Sequence, residues 1–248
     1  MSPDRRQHRG AHPADRQLFA LERLADLRAA VAELSWLLTR GYASKSALKL
    51  VGDRYELTER QRICVSRAAC SDASFAGRDA RRLPPGEVKG GQLIIDGFNL
   101  IITAEAALGG GVLVLCRDGC LRDLSSVHGS YRAVSETERA LALIGDALAT
   151  LEPAAVCWLL DKPVSNSGRL AERIRNLAVE RGWPWRVELV FNPDAEIARS
   201  ASIAVTSDSD ILDRATRWVN LGRHLIEARL PQSWVIDLRP DAGGHVAP

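Results

Sequence analysis

Apolar residues recur at three- and four-residue steps between Pro13 and Arg40, at Leu18, Leu21, Leu24, Leu27, Val31, Leu34 and Leu38, which is the spacing of one face of an amphipathic helix. Gly41 is placed to end that helix as its C-terminal cap. Ser44 can cap a short helix over SKSALKLVG, and Thr58 another over TERQRICVSRAAC with glutamate in its first turn. Residues 1–75 therefore read as a small all-α module. Between Asp72 and Gly91 the periodicity disappears into a Pro pair, glycines and charges, predicting a linker over 76–91. Beyond it, over 92–248, short apolar runs (QLIID, VLVLC, AVCWLLD, RVELVF, SIAVTSD, WVIDL) alternate with helical stretches at 136–150, 167–181 and about 210–225. Most of the runs are apolar on both faces, as in a parallel sheet covered by helices on both sides. The expected fold is α/β, a mostly parallel sheet flanked by helices and preceded by the helical module.

The acidic residues fall where these runs end. Asp96 closes LII, Asp161 closes CWLL and Asp208 follows AVTS; Asp194 lies three residues past VELVF and Asp118 two past LVLC. The carboxyl ends of parallel strands share one edge, and ligands bind in the crevice there, so these carboxylates are expected to converge. Like charges about 4 Å apart repel by about 4 kcal/mol at an effective dielectric of 20, and a hard divalent cation, Mg²⁺ or Mn²⁺, relieves that repulsion. Asp96, Asp161 and Asp208 are the expected metal ligands, with Asp210 or Asp118 completing the set and Asn99 orienting a carboxylate or a bound water. Each has a plainer alternative. Asp118 precedes Gly119, a turn dipeptide; Asp210 and Asp213 sit in the first turn of an expected helix; Asp194 follows Asn-Pro and suits a turn or cap.

Ser165, Asn166, Ser167 and Arg169 follow Asp161 at an expected helix start, where free backbone amides suit a phosphate and where ordinary capping is the alternative. Lys45, Lys49, Arg60 and Arg62, with Arg54 and Arg67, lie on two short helices that either touch phosphates or form a solvated face.

Composition narrows these readings. The 248 residues are 46% hydrophobic and 26% charged, enough for a sizeable core. The net charge is +2, but residues 1–90 carry +6 and residues 91–248 carry −4, so the two halves differ in sign. There is no apolar stretch of membrane-spanning length and no apolar leader in MSPDRRQHRG, so a cytoplasmic protein is expected. Five cysteines predict reduced thiols; Cys116, Cys120 and His128 outline a zinc site that lacks a fourth ligand. No GxxxxGK[ST] or GxSxG motif is present, and Ser46 and Lys49 match S-x-x-K by spacing alone.

The IIDGFN segment, the strand-ending Asp161 and TSDSD resemble the acidic motifs of the PIN and NYN-like nucleases, over about residues 92–238. That resemblance implies carboxylates that bind Mg²⁺ or Mn²⁺ and cut RNA, with a further acid on a helix for which Glu105, Asp118 and Asp123 compete. The stretch from Trp36 to Arg62 is similar to the uncharacterised family called domain of unknown function 434, in which such a module precedes a domain carrying DGFN-, LDKPVSNSGRLA- and TSDSDI-like segments. A haloacid dehalogenase phosphatase would need an aspartate where Phe98 stands. The expected function is a metal-dependent nuclease acting on RNA. The rivals are an inactive nucleic-acid-binding or regulatory protein on the same scaffold, and a small-molecule phosphohydrolase.

Overall fold

The computed structural model describes residues 8–125 and 131–240. The stretch expected as one helix from Pro13 is two, α1 (Asp15–Leu18) and α2 (Leu21–Thr39). In a continuous helix Phe19 would lie about 100° off the apolar stripe, and the break instead turns it into the core. Gly41, at φ +79°, closes α2: its amide donates to the Leu38 carbonyl (3.0 Å) and that of Tyr42 to Leu37 (3.2 Å). Helix α3 (Ser44–Arg54) starts on Ser44 without a side-chain cap, whereas α4 (Glu59–Ala68) has the expected Thr58 cap, completed by Gln61 as a capping box.

The segment expected as a linker is structured. Ser71 caps α5 (Asp72–Ala80), and β1 (Arg82–Leu83) and a 3₁₀ turn (Pro85–Val88) follow. Its stability comes from distant partners that local periodicity does not register, chiefly Arg78, which is buried against Asp118 and Asp213.

The α/β part runs β2 (Gln92–Asp96), α6 (Gly97–Leu108), β3 (Leu113–Leu115), β4 (Leu121–Asp123), α7 (Thr137–Leu151), β5 (Ala155–Asp161), α8 (Ser167–Arg181) and β6 (Trp185–Val190). It continues with α9 (Pro193–Arg199), β7 (Ile203–Val205), α10 (Ser209–Leu212), β8 (Trp218–Val219), α11 (Leu221–Arg229) and β9 (Val235–Asp237). The helix expected over 210–225 is thus interrupted by a short strand, β8, that pairs between β1 and β7.

Six strands pair in the order β1-β8-β7-β2-β5-β6, every pair parallel. Leu93 and Ile95 of β2 pack with α6, α7 and α8 on one face, while Ile94 packs with α9 and α10 on the other. VLVLC and WVIDL form strands, but in a second sheet, β4-β3-β9. Leu113 and Leu115 of β3 face α6 and α11, whereas Val114 faces the helical module through the core of α2, α3 and α4. The small sheet is therefore sandwiched between the N-terminal helices and the α/β part. Among the described residues no helix is long and apolar enough to cross a membrane.

Candidate active site at the carboxyl edge of the sheet

From β2 the chain moves outward to β5 and β6, then crosses the opposite face and returns to β7 on the other side of β2. The order reverses between β2 and β7, and this is where an open α/β sheet leaves a crevice at its carboxyl edge. Asp96 ends β2 and caps α6, accepting from the Asn99 amide (3.4 Å). Its other oxygen accepts from the Thr206 hydroxyl (2.9 Å), and that hydroxyl accepts from the Asp208 amide (3.0 Å). Asp208 caps α10 through the amides of Asp210 (2.8 Å) and Ile211 (3.2 Å). The Asn99 carboxamide oxygen accepts from both the amide and the hydroxyl of Ser207 (2.9 and 3.0 Å). Asn99 thus holds the β7–α10 loop against the start of α6 through its carboxamide oxygen.

Asp96 is 8% exposed, and its carboxyl is pushed up to about 7. Burial is the main cause, the Thr206 hydrogen bond opposes it, and the negative fields of Asp208 and Asp194 add to it. Asp161, half-buried at the end of β5, is also raised by burial. Asp194, in the first turn of α9, is raised by burial and then by Asp208 and Asp161, with Arg214 countering. Asp96, Asp161, Asp194, Asp208 and Asp210 therefore share one electrostatic environment. Among the described residues, however, no group of three or more His, Cys, Asp or Glu side chains is arranged to hold a metal ion. The donors are hard oxygens under mutual repulsion, which suits Mg²⁺ or Mn²⁺ chemically, but they do not form a ready coordination cage.

Asp118 stands apart from this group. It lies in the turn between β3 and β4, bonds the Cys120 amide (3.1 Å), and pairs with Arg78 and Arg122 (both 2.6 Å). Burial opposes ionisation, but the two guanidinium groups hold its carboxyl down to about 2. The expectation that it completes the acidic set fails on position, because β3 belongs to the other sheet. Its partners nevertheless reach the site: Arg122 donates to the Ser207 carbonyl (2.7 Å), and Arg78 to the Ser209 carbonyl (3.3 Å) and to Asp213 (2.7 and 2.9 Å). Of the other contenders, Glu105 is fully buried and bound by Arg9, Tyr131 and Thr137. Asp123 lines a cavity of about 400 Å³ with Asn99, Arg67, Asp208 and Asp210.

The segment after Asp161 is placed beside the acidic edge, with part of its polar capacity used internally. Asn166 is left-handed (φ +68°) and donates to the Tyr131 carbonyl (2.8 Å), the Ser165 carbonyl accepts from the Tyr131 amide (3.2 Å), and Ser167 is buried. Arg169 is exposed. In the helical module, Lys49 and Arg62 both pair with Asp53 (2.6 and 2.8 Å) and Arg60 pairs with buried Asp15. Lys45 is exposed. Three of these four cations are thus engaged within the module. Cys116 and Cys120 are buried thiols pushed up by burial, and His128 lies outside the described residues.

Sequence reasoning passed over Thr206, Ser207, Arg78 and Arg122. The T-S pair between a strand end and an acidic helix start was a usable signal for the first two. The arginines had none, since their partners lie 40 to 135 positions away or across a hairpin.

Residues 26–81 match a family model described as a protein of unknown function, DUF434, and residues 85–224 one described as a domain of unknown function, DUF5616. The uncharacterized protein MJ0935 of Methanocaldococcus jannaschii is 32% identical over 180 residues, covering 73% of this chain and 86% of that relative. No solved structure matches. The boundary between the two matches follows α5, so Arg78 of the first segment supports the acidic loop of the second. The chain belongs to the DUF5616 family, with the DUF434 segment preceding that domain.

Proposed function

We propose that this protein is a cytoplasmic, divalent-metal-dependent nuclease that hydrolyses phosphodiester bonds in RNA on a PIN-like domain. The observation that carries this reading is the gathering of Asp96, Asp161, Asp194, Asp208 and Asp210 at the reversal point of a parallel sheet, with Asp96 and Asp208 joined through one hydroxyl. Asp96, Asp161 and Asp208 would hold Mg²⁺ or Mn²⁺, which when bound supplies charge neutralisation and an activated water. Asp194 takes the place that Asp118 leaves empty. Ser207 and Asn99 hold the loop in register, and Arg169 at the start of α8 is available to the phosphate. In the reaction the water oxygen ends on phosphorus, while the ester oxygen leaves with a proton.

Mn²⁺ titration by calorimetry needs no substrate. Saturable binding in the wild type, reduced at least tenfold in Asp208→Asn, is the expected result. Absence of binding in the wild type, or equal binding by the two, would overturn the metal site.

A second reading, a nucleic-acid-binding protein that does not cleave, is favoured by one observation: no formed metal cage exists among the described residues. It requires RNA affinity that falls steeply with salt and is indifferent to Asp208→Asn.

A further inference from the structure

One large apolar side chain stands exposed at the rim of the acidic edge. Phe191 follows β6 directly and is 74% exposed. Strand register pairs Asp161 with Val190, and the Lys162 amide donates to the Val190 carbonyl (2.7 Å), so Phe191 lies just beyond the end of the β5–β6 ladder beside Asp161. Asp194, three residues on, feels the charge of both Asp161 and Asp208. The exposed Lys162 ammonium lies 4.8 Å from the Phe191 ring centroid, a cation–π contact that holds cation and ring together. Two of the other strongly exposed apolar residues, Leu21 and Val179, are aliphatic and lie on helices away from this edge.

An exposed aromatic face beside a cation and a phosphate-cleaving edge has a specific chemical use. Every nucleobase has a π-face, but in a duplex those faces are covered by neighbouring bases, so only an unpaired base can stack on a protein ring. The Lys162 ammonium meets the adjoining phosphate as a point charge. We propose that Phe191 and Lys162 form a stacking platform for an unpaired base of single-stranded RNA, seated next to the bond presented to Asp161 and Asp208. This rests on the nuclease reading for the choice of RNA, and it makes that substrate single-stranded.

The test is fluorescence anisotropy of the full chain with a labelled single-stranded RNA and with a duplex of equal length, in EDTA so that no cleavage occurs. Phe191→Ala is expected to weaken single-strand binding by about five- to one-hundredfold, the loss typical of one stacked base, and to leave the weaker duplex binding unchanged. Phe191→Trp is expected to restore it, which a purely structural role for the phenylalanine would not predict. Unchanged single-strand affinity in Phe191→Ala, or equal losses for both RNAs, overturns the platform. Mn²⁺ titration of the wild type and of Asp208→Asn separates the two ideas. A platform failure leaves Mn²⁺ binding, and its loss in Asp208→Asn, in place. Failure of the metal site, with Phe191-dependent RNA binding intact, leaves the platform standing on a protein that binds without cutting.

Discussion

At the scale of single residues, the DGFN segment divides its work among four residues. Asp96 caps α6 and faces the edge, Phe98 is buried against Tyr131, and Asn99 holds Ser207. Gly97 is there for close approach: a Cβ would lie 2.5 Å from a Leu160 methyl and 2.9 Å from the Leu159 carbonyl oxygen. The carbonyl belongs to the backbone of β5 and cannot rotate away. Gly97→Ala is therefore expected to cost about 1–3 kcal/mol through overpacking, read as a fall in Tm of several degrees. Retention of wild-type Tm would show that α6 tilts freely at this point. The aspartate positions were legible in the sequence because each ended an apolar run. The role of Asn99 was not, because the same amide serves equally well toward a carboxylate, a water or a backbone, and only the position of Ser207 selects among them.

At the scale of elements, the loop from Ser207 to Asp213 is held from outside the sheet by two buried arginines that share one carboxylate, Asp118. Breaking a buried pair on one side leaves charge uncompensated, so Asp118→Asn is expected to lower stability near neutral pH by about 3–5 kcal/mol. The pH dependence has a definite sign. The folded carboxyl lies near 2, below its ordinary 3.8, so its contribution is complete above about pH 4 and is lost as pH falls through 2. The stability gap between wild type and variant should narrow by about 2 kcal/mol between pH 5 and pH 2, measured by urea unfolding at each pH. A constant gap would mean that the arginines do not set the ionisation of Asp118. The turn at Asp118 and Gly119 was readable from the dipeptide, and Gly119 does take φ +78°. Which sheet the preceding strand joins was not readable, since LVL pairs as well with one parallel neighbour as with another.

At the scale of the whole molecule, the helical module and the α/β part are joined by shared packing. One face of the β4-β3-β9 sheet covers α6 and α11, and the other covers α2, α3 and α4. Helix α5 carries Arg78 into the acidic loop, and β1 adds an edge strand to the main sheet. Thermal unfolding of the full chain is accordingly expected as one cooperative transition, coincident by far-UV circular dichroism and tryptophan fluorescence. Two resolved transitions would show that the module folds on its own. What the sequence by itself determined is local in origin: the helix at 167–181, the Thr58 cap, β2 and β5 as buried strands, and a set of acids at strand ends. These follow from periodicity, side-chain capping and the alternation of faces, all of which act within a few residues. Tertiary structure decided that 76–91 is built into the fold, that two apolar runs form a separate sheet, that Asp118 serves two arginines, and that Thr206 ties Asp96 to Asp208. Each of those outcomes depends on groups far apart in the chain, whose pairing energy exists only after the strands have chosen their neighbours.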